Sequence, residues 1–171
     1  MLEQLPVVIE PLRLAEAGRQ LHGRLPLAEF KRLKPAPAPA LHEVRGEVEV
    51  DLEFGKDELH IAYLRGRLRT RLQLICQRCL QPMALPVDEK FALGLVTTDE
   101  AAEQLPADYE PLMVSGPMEL AEIIEDELIL AVPFVPMHPV GQCPAQGGQE
   151  GRLKDKAPHP FAVLARLKKP Q

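Results

Sequence analysis

Two of the three cysteines lie close together in the segment LICQRCLQP, residues 74–82, as Cys76 and Cys79. The third, Cys143, follows 64 residues later, and His138 precedes it in the stretch HPVGQC. Zinc is typically held by four thiolate or imidazole ligands in a tetrahedron, and a C-x-x-C turn supplies two thiolates at a suitable spacing. The sequence therefore predicts that Cys76, Cys79, His138 and Cys143 hold one Zn²⁺ as a Cys3His site.

Three other interpretations of the cysteines stay open at this point. Partly buried, inert thiols beside a surface histidine would give the same pattern. A thiol-redox pair usually opens a helix near a βαβ unit, whereas strands are expected on both sides of this pair. A disulfide framework is disfavoured, because three cysteines cannot all pair and cytoplasmic thiols stay reduced.

A cytoplasmic location is expected from the hydropathy of the chain. No apolar run approaches the length that spans a membrane, and the N-terminal stretch MLEQLPVVIEP lacks the basic-then-apolar layout of a signal peptide. We therefore expect no association with a membrane.

Arginines at alternate positions form a second chemical pattern, in RGRLRTR. Alternate residues of a strand lie roughly 6.6–6.8 Å apart, close to the spacing of phosphates along a nucleic-acid backbone. These arginines, the arginine row, predict a phosphate track for RNA, unless glutamates on the preceding strand neutralise them across the sheet. The candidate RNA-binding residues are Arg65, Arg67, Arg69, Arg71, Arg78, Lys168 and Lys169.

Charge is distributed unevenly along the chain, whose net charge is −5. Residues 91–151 contain eleven Asp and Glu and no Lys or Arg, whereas residues 152–171 contain six Lys and Arg against one Asp. Such blocks often mark partner surfaces, although a charge run is commonly a solvated face. Glu125, Asp126 and Glu127 have no Ser/His pair or second acidic cluster readable nearby, so we predict a solvated or partner-facing surface.

Motifs of enzymes are missing from the sequence. There is no phosphate-binding glycine loop, no nucleophile elbow and no H-E-x-x-H. Having no Trp and only two Tyr, the chain also offers little for stacking on bases. We therefore predict a protein that is not an enzyme and has no small-molecule substrate.

An antiparallel meander is predicted for the middle of the chain. The segment EVRGEVEVDLEF, residues 43–54, alternates apolar and acidic residues, and a return strand follows over 59–75. The apolar parity of that return strand slips, which predicts a β-bulge near Arg65–Gly66. The resulting register pairs Phe54 with Leu59 before the bulge, and Glu49 with Arg65 after it. A third strand is expected over 83–96.

Helices are predicted around this meander. MELAEIIEDELILAVP, residues 118–133, carries an apolar stripe and ends at a proline. LRLAEAGRQLHGRL and the terminal HPFAVLARLKK also favour helices. We expect an α+β protein, an antiparallel β-meander with a few packed helices and a flexible C-terminal segment, arranged as one domain. Its parts are an N-terminal strand and helices (1–33), a Pro/Ala linker (34–40), the meander with the acidic helix (41–140), and a loop with a short basic helix (141–171).

Four motifs in order, ICQRCL, LPADYEPL, IIEDELILAVPFVPMH and HPFAVLARLK, resemble the YceD family of large ribosomal RNA subunit accumulation proteins. The opening LPVVIEPLRLAEAGRQLHGRL is also similar, so the resemblance covers essentially the whole chain. Some relatives have a second C-x-x-C where this chain has His138 and Cys143, which supports a shared location for a metal site. By position, the resemblance implies partner-binding roles for Tyr109, Glu110, Glu125, Asp126, Glu127 and Phe161.

The family resemblance implies a non-enzymatic role in 23S rRNA accumulation and large-subunit assembly. The expected partners are precursor 23S rRNA, an early assembly protein, or both. The family's genes commonly neighbour that of the small basic ribosomal protein bL32, which makes bL32 a candidate. The alternatives are an acidic adaptor that binds a basic ribosomal protein without touching RNA, and a thiol-redox protein.

Overall fold

The computed structural model describes residues 5–33, 41–43 and 45–144. Within them lie eight strands, three α-helices and a short 3-10 helix at Leu27–Glu29. The strands are β1 (Val8–Ile9), β2 (Gln20–Pro26), β3 (Leu41–Glu43), β4 (Glu47–Lys56), β5 (Ala62–Ile75), β6 (Pro82–Val96), β7 (Glu110–Met113) and β8 (Met118–Glu119). The α-helices are α1 (Pro11–Glu16), α2 (Asp99–Glu103) and α3 (Leu120–Ala131).

The predicted meander is present as β4, β5 and β6, which pair antiparallel in chain order. β2 extends this sheet on the β4 side, and β3 pairs with β5. β7 adds to the β6 side in the parallel direction, which makes the sheet mixed. Strands β1 and β8 form a separate two-stranded pair. The α+β fold class is confirmed.

One face of the sheet carries the core. The alternating apolar residues of β4 are buried with the even-numbered leucines of β5, since side chains two apart share a face. Helix α3 adds its predicted stripe of Leu120, Ile123, Ile124 and Leu128, all buried in the same core. The helix ends at Ala131 because Val132, which precedes Pro133, is extended.

The predicted bulge near Arg65–Gly66 is wrong. Pairing with β4 runs without a shift from Glu49–Arg69 to Lys56–Ala62, so Phe54 faces Leu64 and not Leu59. The slip in parity arises in the turn before β5. There the Asp57 carboxylate accepts hydrogen bonds from the N–H groups of Leu59 and Ile61, each at 2.9 Å. Leu59 and Ile61 therefore belong to the turn, and their apolar character does not indicate the register of the strand.

The helix predicted for LRLAEAGRQLHGRL is half wrong. Only α1 is helical, and it ends before Gly18, whose φ of +57° suits glycine. The following residues form β2, because pairing with the edge of β4 outweighs local helix propensity. The predicted linker 34–40 and the predicted terminal helix lie outside the described residues.

Helix α3, twelve residues long, is the longest helix in the described ranges. None of the helices there is long and apolar enough to cross a membrane.

Candidate functional site

The C-x-x-C segment forms a tight knuckle between β5 and β6. Cys76 follows the last residue of β5, its N–H donates to the Gln81 carbonyl, and the Leu80 N–H donates to the Cys76 carbonyl, both at 2.9 Å. This closure brings Leu80 into the left-handed region at φ +57°. The strand-to-strand setting that the sequence predicts for the two cysteines is therefore present.

The structure brings the four predicted ligands together. One ligand atom from each of Cys76, Cys79, His138 and Cys143 lies within 4.8 Å of all the others. The Cys79 Sγ is 3.4 Å from the His138 Nδ1, and the His138 backbone N–H donates to the Cys76 Sγ at 3.4 Å. Tetrahedral zinc ligands lie roughly 3.5–3.8 Å apart, so a contraction of about 1 Å would complete the site. The cluster could hold a metal ion.

Backbone donors polarise the knuckle sulfurs. Burial opposes ionisation of the Cys76 thiol, but the N–H groups of His138, Cys79 and Arg78 outweigh it and lower its pKa to about 5. Burial raises the pKa of the Cys79 thiol, and the neighbouring sulfurs of Cys76 and Cys143 raise it further. Without a cation, the cluster therefore resists the second thiolate charge that a metal would stabilise.

Access disfavours a thiol-redox role. A reactive thiol must be reachable as well as ionised, and the Cys76 side chain is fully buried. Cys79 is only half-buried, yet its raised pKa keeps it protonated. Of the two knuckle sulfurs, the one whose pKa is lowered is thus the one that a protein substrate cannot reach.

Two of the four arginines in the arginine row, Arg67 and Arg69, are neutralised across the sheet. The Arg67 guanidinium binds Asp88 of β6 through two hydrogen bonds of 2.7 Å. Arg69 reaches Asp51 at 2.7 Å and Glu49 at 3.2 Å, both on β4. The predicted register is wrong, but the expected neutralisation by acidic residues of β4 occurs through other pairs.

Arg65 takes part in an aromatic network. Its guanidinium lies over the Tyr63 ring at 4.3 Å from the centroid and donates to the Tyr109 hydroxyl at 2.9 Å. The Tyr63 hydroxyl donates to Glu53 at 2.7 Å, and the Tyr109 hydroxyl donates to Asp57 at 3.2 Å. These contacts tie the segment before β7 to the β4–β5 hairpin, so Arg65 and the buried Tyr109 serve the fold.

Arg71 and Arg78 differ from the rest of the predicted RNA-binding set. Both are exposed, and neither has an acidic partner in the described part of the chain. The only contact of the Arg78 guanidinium there is with the Met137 sulfur at 3.5 Å. Lys168 and Lys169 lie outside the described residues.

The expectation of a solvated face is wrong for Glu125, which is 2% exposed. Its carboxylate accepts the backbone N–H groups of Arg32 and Leu33, the latter at 2.8 Å. The Arg32 guanidinium also pairs with this carboxylate at 3.3 Å, and with the exposed Asp126 at 2.6 Å. Glu125 therefore fixes the segment after the 3-10 helix against α3.

The solvated alternative is also wrong for Glu127, which is 8% exposed, whereas the partner-facing alternative stays a prediction. Its carboxylate forms no hydrogen bond or ion pair with the residues that the structure describes. Burial, and after it the charges of Glu110, Asp126 and Glu89, raise its pKa to about 7. Glu89, Glu110 and Glu127, the carboxylate recess, thus form an acidic group that has no cation of its own among the described residues.

Comparison with known proteins identifies the family. Residues 64–168 match the family described as large ribosomal RNA subunit accumulation protein YceD. The chain belongs to the YceD family. A relative from Haemophilus influenzae, named large ribosomal RNA subunit accumulation protein YceD, is 32% identical over 96% of this chain and 97% of its own length. No solved structure matches the chain.

The region matched to the YceD family contains the whole cysteine cluster, the arginine row and α3. Sequence reasoning nevertheless missed the partners in this region and beside it. Asp88 and Arg32 were not singled out, although each neutralises a candidate residue. Asp88 directly opposes Arg69 across β5 and β6, a neighbour that only the correct register reveals. Phe161 lies outside the described residues.

Proposed function

We propose that this chain is a non-enzymatic factor of ribosome biogenesis that acts in the cytoplasm. It promotes accumulation of 23S rRNA and assembly of the large subunit by binding an early assembly protein or precursor rRNA. Membership of the YceD family and the name of the relative from Haemophilus influenzae support this role. The described residues assemble one cluster that could hold a metal and, apart from the buried Glu127, place their charges in pairs or on surfaces, which is consistent with binding rather than catalysis.

A basic assembly protein is the partner that the charges favour. The observation that carries this choice is the carboxylate recess, which has no cation among the described residues, while Arg67 and Arg69 of the arginine row are neutralised. Basic ribosomal proteins, bL32 among them, have the complementary charge. Direct contact with precursor 23S rRNA is the second candidate, favoured by Arg71 and Arg78, which have no acidic partner among the described residues, and by the charge of Lys168 and Lys169.

Parallel binding assays test this choice. The full chain is titrated with purified bL32 and other basic large-subunit proteins, and separately with precursor 23S rRNA in gel shifts at several salt concentrations. Binding of a ribosomal protein without RNA is the expected result. Binding of RNA without binding of any ribosomal protein would favour direct contact with precursor 23S rRNA instead. Loss of the chain in cells should lower 23S rRNA, and unchanged rRNA levels would overturn the biogenesis role.

The cysteine cluster, in the same proposal, binds one structural zinc ion. Four protein ligands close the site, so no position is left for catalysis. The metal would pin residues 134–143 to the knuckle, where the Gln77 N–H already donates to the Pro136 carbonyl at 2.9 Å. It would thereby hold the end of α3 near the start of β6.

Elemental analysis of protein purified without a metal-affinity tag tests the zinc site. We expect near-stoichiometric zinc in the full chain, and a loss of most of it in Cys143→Ser and His138→Ala. His60→Asn, a change at an exposed histidine far along the chain from the cluster, is the matched control and should retain the metal. Absence of zinc from the unmodified chain would make the cysteines packing residues.

A further inference from the structure

An exposed apolar surface adjoins the cysteine cluster. Its members come from the knuckle, from the end of α3 and from the segment that leads to Cys143. Phe134 is 94% exposed, and an isolated exposed apolar residue would need no explanation, but a group of them usually marks a site of protein interaction. This apolar face comprises Leu80, Leu130, Phe134, Val135, Met137 and Val140.

Contacts between the knuckle and residues 136–138 hold two parts of this face together. Gln77 and Arg78 contact Pro136 and Met137, and the His138 N–H contacts the Cys76 sulfur. The knuckle that bears Leu80 therefore lies against the segment that bears most of the face. The cluster joins the knuckle to the segment that bears most of the face, and α3 leads directly into that segment, so the arrangement exists before any partner arrives.

Leu80 is unfavourable in the free protein for two reasons. Its φ of +57° lies in the left-handed region, which strains a leucine and suits glycine. Its side chain is also 70% exposed, so no burial compensates for that strain. Burial of the Leu80 side chain under a partner would offset the cost of its backbone conformation.

An unpaired carboxylate lies beside the apolar face. Glu127 is three residues before Leu130 on α3, which places the two on the same side of the helix. A buried carboxylate without a cation is costly, and the approach of a Lys or Arg side chain would remove that cost. The raised pKa of Glu127 agrees with this unmet need.

We propose that the apolar face and Glu127 together bind an amphipathic, basic segment of a large-subunit assembly protein. Apolar side chains of that segment pack on Phe134 and Leu80, and a Lys or Arg lies beside Glu127. The inference rests on the proposed function for the class of partner. The absence of Lys and Arg from residues 91–151 means that nothing basic in this block competes for the recess.

The decisive variant, Leu80→Gly, should lower the affinity for the partner while it raises the stability of the protein. Zinc-replete full chain is titrated calorimetrically with individually purified basic large-subunit ribosomal proteins. We expect Leu80→Gly to weaken binding about tenfold while raising the midpoint of thermal unfolding, since glycine relieves the left-handed strain. Phe134→Ser should weaken binding to a similar extent, and Glu127→Gln should weaken it less. Leu59→Ser is the matched control, because Leu59 is 71% exposed on the β4–β5 turn, and it should change neither quantity.

Other occupants of the face give distinct results. Unchanged affinity in both Leu80→Gly and Phe134→Ser would overturn the inference and leave the proposed function standing. Hydroxyl-radical protection of Phe134 in the free full chain, lost in Phe161→Ser, would overturn it in favour of the chain's own C-terminal segment. A concentration-dependent dimer that Phe134→Ser abolishes would overturn it in favour of a second copy. Normal 23S rRNA in cells that lack the chain would instead overturn the proposed function.

Discussion

The charged face of the β4–β5–β6 meander and the surface at the end of α3 differ in whether their charged side chains have partners of opposite charge. On the meander, Arg67 and Arg69 lie within hydrogen-bond distance of carboxylates on both neighbouring strands. At the end of α3, Glu127 is buried beside other carboxylates, and exposed apolar side chains lie next to it. On the first surface these two arginines find carboxylates, whereas on the second Glu127 has no cation among the residues that the structure describes.

A conspicuous row of charge is therefore a poor guide to a binding surface. Arg67 and Arg69 are neutralised because the antiparallel register places acidic residues of β4 and β6 close to them. The three consecutive acids on α3 separate for the same geometric reason. Glu125 accepts hydrogen bonds from the segment after the 3-10 helix, while Glu127 is buried and its pKa is raised by the charges of Glu110 and Glu89. A charged side chain indicates a binding surface only when the fold does not already supply a partner of opposite charge.

The largest effect on stability should come from a partnered charge. Glu125→Ala leaves the backbone donors of Arg32 and Leu33 buried without an acceptor, which should lower the free energy of unfolding by about 2–4 kcal/mol. Glu122→Ala on the same helix is the control and should have little measurable effect, because its ion pair with Lys31 is exposed. Urea denaturation measures both. Equal losses would contradict the distinction between the two glutamates.

Close packing between strands should give the next largest effect. A Cβ added at Gly66 would lie 2.1 Å from the ring of Phe91 on β6, so Gly66→Ala must displace that ring. We expect a loss of about 1–3 kcal/mol in the free energy of unfolding. The same substitution in a Phe91→Ala background should cost clearly less, since the obstructing ring is gone. Additive losses in this cycle would rule out the contact as the cause.

The unpartnered Glu127 should give a smaller, pH-dependent effect of opposite sign. Its folded-state pKa of about 7 lies above the ordinary 4.5, so its contribution to stability is fully present below pH 4.5 and is lost as the pH rises through 7. Glu127→Gln should therefore stabilise the protein by about 1–2 kcal/mol at pH 8 and change little at pH 4.5. Denaturation midpoints at both pH values measure this. Glu103→Gln, at an exposed residue of α2, should show no such difference.

Substitutions of the basic residues that could contact RNA should give the smallest effect, a change in the salt dependence of RNA affinity. Arg71→Ala combined with Arg78→Ala should flatten the salt dependence of RNA affinity by up to about two charges, and so should Lys168→Ala combined with Lys169→Ala. Arg67→Ala should flatten it less, because Asp88 already neutralises that guanidinium. Gel shifts at several salt concentrations give the slopes. A slope that depends most on Arg67 would reverse the comparison between the two surfaces.

Local patterns in the sequence determined much of the fold. The alternation of residues 47–54 and the stripe on α3 each specify a strand or helix by themselves, because burial of one face requires a fixed period. The ligands of the cysteine cluster were also readable, since Cys and His are the residue types that zinc prefers and each pair lies in a short segment. Likewise, four motifs in order were enough to indicate the YceD family, which the comparisons confirmed.

Only the tertiary structure decided which charged side chains find partners. The five-residue turn between β4 and β5 set the register, and with it the pairing of Glu49 with Arg69, a detail that apolar parity misplaced. Burial of Glu125 and Glu127 depends on segments far away along the chain, residues 32–33 for one and Glu89 and Glu110 for the other. Such contacts join residues that are distant in sequence, so no local period encodes them. They make Glu125 a carboxylate that stabilises the fold, whereas Glu127 has no cation among the described residues.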